Sequence, residues 1–496
     1  MPSDLSPRIR VTQVDLHVLP MRTRFPFRYG IASLSQVPHV YVNAEVEIDG
    51  QKVHGISSEG LPPKWFTKNP RTSNAVDLAE MVAVVQNSAR LAVQFLSKSP
   101  RTYFANWQIL EKEIGQWGFK QGHPPLLYHL GVSLIERAIV DALCTHLNMP
   151  FHKLVKTSAL GVDWSVIHPG LQDHSAADFL PSSPLSRVAI RHTVGLGDVI
   201  RNQDLLREEI VNDGLPQTLE DAVATYGLRY FKIKLSGDVM SDVARLQKIS
   251  EVITHFCGSD FSITLDGNEA FQQLADFRFH FERLRAESTL KPLLEKLLWV
   301  EQPLHRSRAL QDNIGPELAQ WPTAPLMIID ESDGTVGDVQ KALRLGYSGV
   351  SHKNCKGIIK GLANAALIHH HRRLRPKKTF VLSGEDLCTV GPVCLTQDLA
   401  MMALLGIDHV ERNGHHYYRG LTMYSNDLVD YTQQAHPDLY QPNNYGLVTL
   451  NIQEGAVALG SVNAAPFGCG VAPDLSQYPL LKDWVEGGGI DEITAA

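Results

Sequence analysis

Tyr230-Phe231-Lys232-Ile233-Lys234-Leu235 is the stretch whose reading decides the fold. Side chains alternate along an extended strand, so Lys232 and Lys234 share one face while Phe231, Ile233 and Leu235 share the other. An apolar face of that kind packs under helices, which leaves both ammonium groups pointing into whatever the sheet encloses. Like charge and partial burial both disfavour protonation, so the pair is predicted to hold lysines of lowered basicity, suited to general-base work near neutral pH. A solvated strand face would also accept two lysines, but it would not explain three apolar residues interleaved with them.

Working outward, similar β-rich runs recur at Val188 to Val194, Phe261 to Leu265, Leu297 to Val300, Pro325 to Ile329, Gly349 to His352, Thr379 to Leu382 and Asp408 to Val410, with helix-like stretches between them. With the lysine run they make eight. They occupy about 225 residues, close to the roughly 250 of an eight-stranded α/β barrel of the TIM type. A doubly wound open sheet would alternate in the same way, but no glycine-rich phosphate loop follows the first run.

The ionisable residues fall in register with these runs. The third ends in Asp266-Gly267-Asn268, the fourth in Glu301-Gln302-Pro303, the fifth in Asp330-Glu331-Ser332 and the sixth in Lys353, while Glu385 follows the seventh. Each lies at the C-terminal end of its run, where barrels of this type assemble their sites, and successive members are about one β/α unit, roughly 30 residues, apart. Asp266, Glu301 and Asp330 converging on one mouth make a hard, all-oxygen site suited to Mg²⁺. A single acid after a strand is more often a helix cap, so the reading rests on three in register. Lys353 ends a strand across the ring from Lys234, an arrangement suited to removing a proton from one face of a carbon and returning one to the other. His352 and Lys356 are neighbours, but strand alternation turns His352 away from Lys353.

The ends of the chain read differently. Val11 to Leu19 and His39 to Glu47 alternate, Asp49-Gly50 suits a tight hairpin turn, and Val53 to Ile56 returns. Helical patterns follow at Val76 to Phe95, Tyr103 to Trp117 and Leu126 to His146. Residues 157–186 carry no sustained period and three prolines, and read as a loop or linker. After Arg412, Gly446 to Ile452 and Ala456 to Val462 look like a further strand pair that adds to the α+β part. The predicted domains are an α+β cap over 1–156, a linker or insertion over 157–186, the barrel over 187–412, and a segment over 413–496 that returns to the cap.

Composition narrows the function. Hydrophobic residues make up 44%, enough for a large core, and the net charge of -7 leaves no electrostatic footprint for nucleic acid or an anionic membrane. A small anionic substrate therefore needs local cations. No run of roughly 18 apolar residues suggests a membrane span, and residues 1–10 lack the apolar stretch of a signal peptide, so the expected location is the cytoplasm. Six cysteines without a CxxC pair read as reduced, buried thiols. The basic run His369 to Arg373 lies near a predicted helix end, where cations suit the dipole, and is not read as a metal site.

In order, YFKIKLSGD (230–238), LDGN (265–268), WVEQPL (299–304), IDES (329–332) and GVSHKNCKGI (349–358) resemble the signature of the enolase superfamily. The resemblance is to the muconate-lactonizing branch of its mandelate racemase/muconate lactonizing enzyme family, which includes dipeptide epimerases and succinylbenzoate synthases. It extends to RFPFRYGIASL (24–34), LIERAIVDALCTHLNMPFHKLV (134–155) and PFGCG (466–470). It implies a (β/α)7β barrel with a cap built from both chain ends, and Mg²⁺-assisted abstraction of the proton α to a carboxylate through an enediolate. It also implies Lys234 as base, Lys232 tuning it, Lys353 as the opposed acid or base, Asn268 beside the ligands, and Glu385 at a position where the branch often has a carboxylate.

The sequence departs from the branch after Lys353, where Asn354-Cys355-Lys356-Gly357 replaces the usual glycine pair. Lys353 stands where the mandelate racemase branch would place an Asp, which disfavours that branch. The resemblance further implies two cap loops over the mouth, Thr23 to Ser35 and Ser57 to Asn69, in which Arg28, Tyr29, Glu59 and Lys64 are candidates to meet substrate. Beyond the eighth strand, Arg412 reads either as an ordinary solvated side chain or as a bidentate grip on a second carboxylate.

The favoured function is a racemase or epimerase of a small carboxylate. Cycloisomerisation or dehydration on the same scaffold, and a non-catalytic binding barrel, are the alternatives. The chain leaves room for a homo-oligomer.

Overall fold

The computed structural model describes residues 6–29, 32–157 and 159–495, with side chains for all of these except Tyr29, Ala32 and Ala495. Three antiparallel strands come first: β1 (Ile9–Tyr29), β2 (Ala32–Ile48) and β3 (Gln51–Gly60). The β2–β3 turn sits at Asp49 and Gly50, with φ of 48° and 86°, the paired positive angles that this dipeptide accommodates in a tight hairpin. β1 and β2 stay paired out to Tyr29 and Ala32. The expected loop Thr23 to Ser35 is therefore the tip of a hairpin arm, with Gly30 and Ile31 outside the described residues.

Three helices cover this sheet: α1 (Asn74–Leu96), α2 (Tyr103–Gln121) and α3 (Pro125–His146). Ser73 and Thr102 cap the first two through their hydroxyls, and Gly122, left-handed at φ 76°, ends α2. α3 is buried on nearly every side because it lies between the cap sheet and the barrel. A Cβ on Gly55 would fall 2.0 Å from the Ala138 carbonyl, so β3 and α3 approach this closely only because residue 55 is glycine. On its other side, Glu136 accepts from the Ile358 and Ile359 amides, the exposed donors at the start of a barrel helix.

Eight parallel strands then close on themselves: β4 (Arg187–Val194), β5 (Tyr230–Lys234), β6 (Ser262–Asp266), β7 (Leu297–Glu301), β8 (Met327–Ile329), β9 (Gly349–His352), β10 (Val381–Gly384) and β11 (His409–Glu411). β11 pairs with β4 to complete the ring. Seven helical connections separate the eight strands, so the barrel is (β/α)7β. As the lysine stretch predicts, Phe231, Ile233 and Leu235 are buried under the helices while Lys232 points inward. One apolar core runs from the cap sheet through α3 into the barrel shell.

Residues 157–186 are more ordered than a loop. They hold single-turn helices at Trp164–Ile167 and Ala176–Phe179, and the Trp164 and Phe179 rings meet edge-on at 5.3 Å. Such elements are too short for a period to register in sequence.

The tail also differs from expectation. β12 (Tyr440–Pro442) pairs with β13 (Val448–Leu450), whereas β14 (Ala456–Ala458) runs antiparallel along β4 outside the barrel. The expected pairing of 446–452 with 456–462 is thus replaced by two separate pairings, one of which extends the barrel sheet. Further on, the backbone of Leu480 bridges to His17 of β1, and the helix Leu481–Glu486 packs on the same strand, so the chain does come back to the cap. All six cysteines are free thiols.

Candidate active site

The barrel mouth gathers lysines and acids from successive strands. Asp266 and Glu301 end β6 and β7, Asp330 follows β8, Lys353 follows β9, Glu385 follows β10 and Glu411 ends β11. Lys232 is at the centre. Its Nζ lies 2.7 Å from Glu301 Oε1, 2.8 Å from both Glu385 Oε2 and Glu411 Oε2, and 3.1 Å from Asp266 Oδ2. Lys234 Nζ donates to Asp266 Oδ2 at 2.5 Å and to Asn268 Oδ1 at 3.1 Å. Lys353 Nζ donates to Asp330 Oδ2 and Glu385 Oε2, both at 2.7 Å. In the strand order, β5 and β9 stand four places apart in a ring of eight, so Lys234 and Lys353 approach the axis from opposite sides.

The electrostatics correct one expectation. Burial pulls Lys232 towards neutrality, but its four carboxylate partners outweigh this and hold it well above the ordinary lysine range. Lys234 follows the same pattern: burial and Lys232 lower it, Asp266, Glu411 and Glu301 together raise it more, and the net shift is upward. The pairing argument for weakened bases omitted the acids that converge on the same face. Among those acids, Glu385 is held well below the usual carboxylate range, because Lys232 and Lys353 outweigh its burial. Glu301 is pushed up by burial and by repulsion from Glu385.

Among the described residues, carboxylate oxygens of Glu301, Asp330 and Glu385 lie within 4.8 Å of one another, close enough to share one cation. Glu301 Oε2 is buried with no hydrogen-bond partner. A carboxylate oxygen left without a partner inside an all-oxygen donor set fits a small, hard divalent ion. Of the expected ligands, Glu301 and Asp330 belong to this set, Asp266 instead faces Lys232 and Lys234, and Glu385 joins it.

Several participants escaped the sequence. Glu411 ends its strand just as the other acids do, and that register was the available signal. Arg191, two residues before Thr193 on β4, has the interior parity and donates to Ser383 Oγ at 2.8 Å and Glu385 Oε1 at 3.3 Å. Lys356 is buried, not a bystander: it donates to the Asp330 carboxylate and the Asp330 and Ser351 carbonyls, each at 2.8 Å.

Above the acids lies a chamber lined by residues of both the cap and the barrel. The cap closes it from one side with Trp65, whose ring centroid is 5.0 Å from Lys353 Nζ. Trp65 is fixed from below: Arg306 takes Glu269 in a two-pronged pair and donates to the Trp65 and Phe66 carbonyls, while Lys68 adds an ion pair to Glu269 at 3.2 Å. Phe27 and Tyr417 pack at 4.3 Å to form an aromatic wall.

Of the residues expected to meet substrate, Arg28 and Lys64 line the chamber, but the Lys64 ammonium is consumed by Asp77, Thr72 and the Asn69 carbonyl. Glu59 is buried against Arg137. The Tyr29 side chain lies outside the described residues. Arg412 does not reach the chamber: it is buried, and its Nη1 donates to Asp386 Oδ2 at 2.9 Å. Strand parity explains this, because Arg412 follows the inward Glu411 and so turns outward.

A capped α/β barrel whose mouth carries opposed lysines over shared carboxylates is the class that fold and geometry define. No family model and no curated protein matches the chain. Among solved structures the fold is that of the mandelate racemase/muconate lactonizing proteins of the enolase superfamily. A mandelate racemase/muconate lactonizing protein from Herpetosiphon aurantiacus aligns over 94% of this chain and 98% of its own, with a TM-score of 0.57 at 17% identity. A dipeptide epimerase from Enterococcus faecalis, complexed with Mg and L-Leu-L-Tyr, covers 92% and 99% with a TM-score of 0.58 at 15% identity. An N-succinyl Arg/Lys racemase from Bacillus cereus covers 92% and 98% with a TM-score of 0.57 at 15% identity.

Proposed function

We propose that the chain is a Mg²⁺-dependent enzyme of the enolase superfamily that abstracts the proton α to a carboxylate, and that it racemises or epimerises a small carboxylic acid. The observation that carries this reading is the opposition of Lys234 and Lys353 across one carboxylate cluster. Lys234 takes the proton from one face of the α-carbon, and Lys353 delivers one to the other face, which inverts the centre with no net change in composition. Asn268 Oδ1 orients the Lys234 ammonium, and Lys232 ties together acids from four strands.

Glu301, Asp330 and Glu385 would hold the ion, and Asp266, which faces Lys232 and Lys234, is the adjacent acid that could turn to it. When bound, Mg²⁺ supplies positive charge against the substrate carboxylate as the α-proton leaves. An acid that turned to the ion would be withdrawn from its lysine partner, which would lower that lysine's proton affinity. Of the neighbours named above, the Enterococcus faecalis epimerase is complexed with Mg and a dipeptide, and the Bacillus cereus protein is an N-succinyl Arg/Lys racemase, in keeping with this chemistry.

The test is a screen of chiral carboxylic acids in deuterated buffer with Mg²⁺. Exchange of the α-proton with loss of optical purity and no other change in mass supports the reading. Exchange with ring closure or loss of water would instead identify a cycloisomerase or dehydratase. No exchange across a broad acid panel would leave a binding barrel.

No helix among the described residues is long and apolar enough to cross a membrane.

A further inference from the structure

Glu385 belongs to the acids that can share a cation, and it stands one residue past the end of β10. Its two oxygens have different partners. Oε2 takes the mouth lysines, Lys232 at 2.8 Å and Lys353 at 2.7 Å, while Oε1 takes Arg191 Nη2 at 3.3 Å. The lysines have other duties: Lys353 also holds Asp330 and is the proposed acid or base, and Lys232 is shared with Asp266, Glu301 and Glu411. Arg191 has no second acid among its printed ion pairs, and its guanidinium keeps its charge at any working pH.

Arg191 is buried and held along most of its edge. Nη2 also donates to Ser383 Oγ at 2.8 Å and to the Gly384 carbonyl at 3.1 Å, the two residues just before Glu385. Nη1 lies 3.0 Å from His409 Nδ1, and the guanidinium sits 5.3 Å from the centre of the Trp299 ring. A guanidinium only donates, so His409 Nδ1 accepts and the imidazole carries its proton on Nε2. Burial, and then Arg191 itself, push that imidazole down to about 3, which keeps it a neutral acceptor. The His409 ring is in turn stacked with Tyr230 at 4.4 Å and with Trp299 at 5.5 Å.

We infer that Arg191 is a positioning residue for the ion: seated on the ring stack of the barrel floor, it fixes the direction in which Glu385 presents its carboxylate to the cation. The inference rests on the proposed Mg²⁺ dependence and names how one of the ligands is set. Charge alone would act the other way. A fixed positive group beside a cation site repels the ion, so an Arg191 that worked only through its charge would tighten the site on removal. An Arg191 that places Glu385 loosens it on removal, and unevenly, because Mg²⁺ demands near-ideal octahedral oxygens whereas Ca²⁺ accepts a flexible set.

The test is calorimetry with Mg²⁺ and with Ca²⁺ on the full chain and on Arg191→Met, which keeps a stem over Trp299 and removes the donors. Mg²⁺ binds about ten-fold more weakly to the variant, and Ca²⁺ changes much less. Arg191→Lys keeps the charge but not the fork that spans His409 and Glu385, and falls between. His409→Phe keeps a stacked ring, removes the acceptor for Nη1, and shifts Mg²⁺ in the same direction as Arg191→Met. Urea unfolding identifies the folded variants, and if Arg191→Met is not among them the other two decide.

Unchanged or tighter Mg²⁺ binding in the folded variants overturns the inference, as does an equal loss for both ions, the result of a general loosening of the barrel. The two readings fail separately. A Mg²⁺-selective loss in Arg191→Met, without α-proton exchange by the unaltered chain, upholds the positioning role and removes the proposed reaction. Exchange by the unaltered chain, with Mg²⁺ binding untouched in Arg191→Met, does the reverse.

Discussion

The two ends of the barrel interior are built from the same strands and solve opposite problems. At the mouth, Lys232, Lys234 and Lys353 share buried carboxylates whose repulsion pushes Glu301 up while the lysines hold Glu385 down. Two residues lower on the same inward faces, Tyr230 stacks on His409 at 4.4 Å, His409 stacks against Trp299 at 5.5 Å, and Arg191 lies 5.3 Å above the Trp299 ring. The floor is closed by ring contacts, with Trp299 Nε1 and Arg191 Nε buried there without hydrogen-bond partners. The mouth concentrates charge that costs stability and becomes useful when substrate arrives. Arg191 joins the two, with one side over Trp299 and the other on Glu385.

That contrast can be broken from either end. Replacing the mouth lysines removes chemistry and leaves the floor intact: Lys234→Ala and Lys353→Ala should each lower turnover by roughly 10²- to 10⁴-fold. Exchange assays on the Mg²⁺-loaded variants check this, and a variant with wild-type rates would remove that lysine from the mechanism. The converse is Trp299→Ala, which takes a buried ring out of the floor and should cost about 3 to 5 kcal/mol of stability in urea unfolding. A much smaller loss would mean the floor does not carry the barrel.

A third test compares acids that have cations with one that has none. Asp141 on α3 is buried, accepts from the Ile56 amide at 2.9 Å, and is pushed up to about 7 by its burial. Its folded value lies above the unfolded one, so the folded state holds the extra proton and stability falls as pH rises from about 4 to 7. Asp141→Asn should remove that component, worth on the order of a few kcal/mol, and so flatten the fall in unfolding free energy between about pH 4 and 7. An unchanged pH dependence would place the effect elsewhere.

Much of this was legible in the sequence because it depends on parity and spacing. The alternation around Lys232 sets the inward face, and the recurrence of acids at strand ends sets the mouth. What escaped depends on who else shares the space. Lys232 and Lys234 looked like mutually weakened bases, and the opposite shift arises from Asp266 first and then from acids such as Glu301 and Glu411, which meet only in the closed ring. The path of β14 was hidden because three residues carry no period, and its partner β4 lies more than two hundred residues earlier by number.

The strap that β14 lays along β4, followed by the return of Leu480 to His17, has a consequence for the order of assembly. The cap sheet is made first at the ribosome, yet one edge of it stays uncovered until residues beyond 480 emerge, after the whole barrel has been synthesised. Folding of the two units is therefore interleaved in time. The earliest strands wait, with apolar surface open, for the latest helices to seal them.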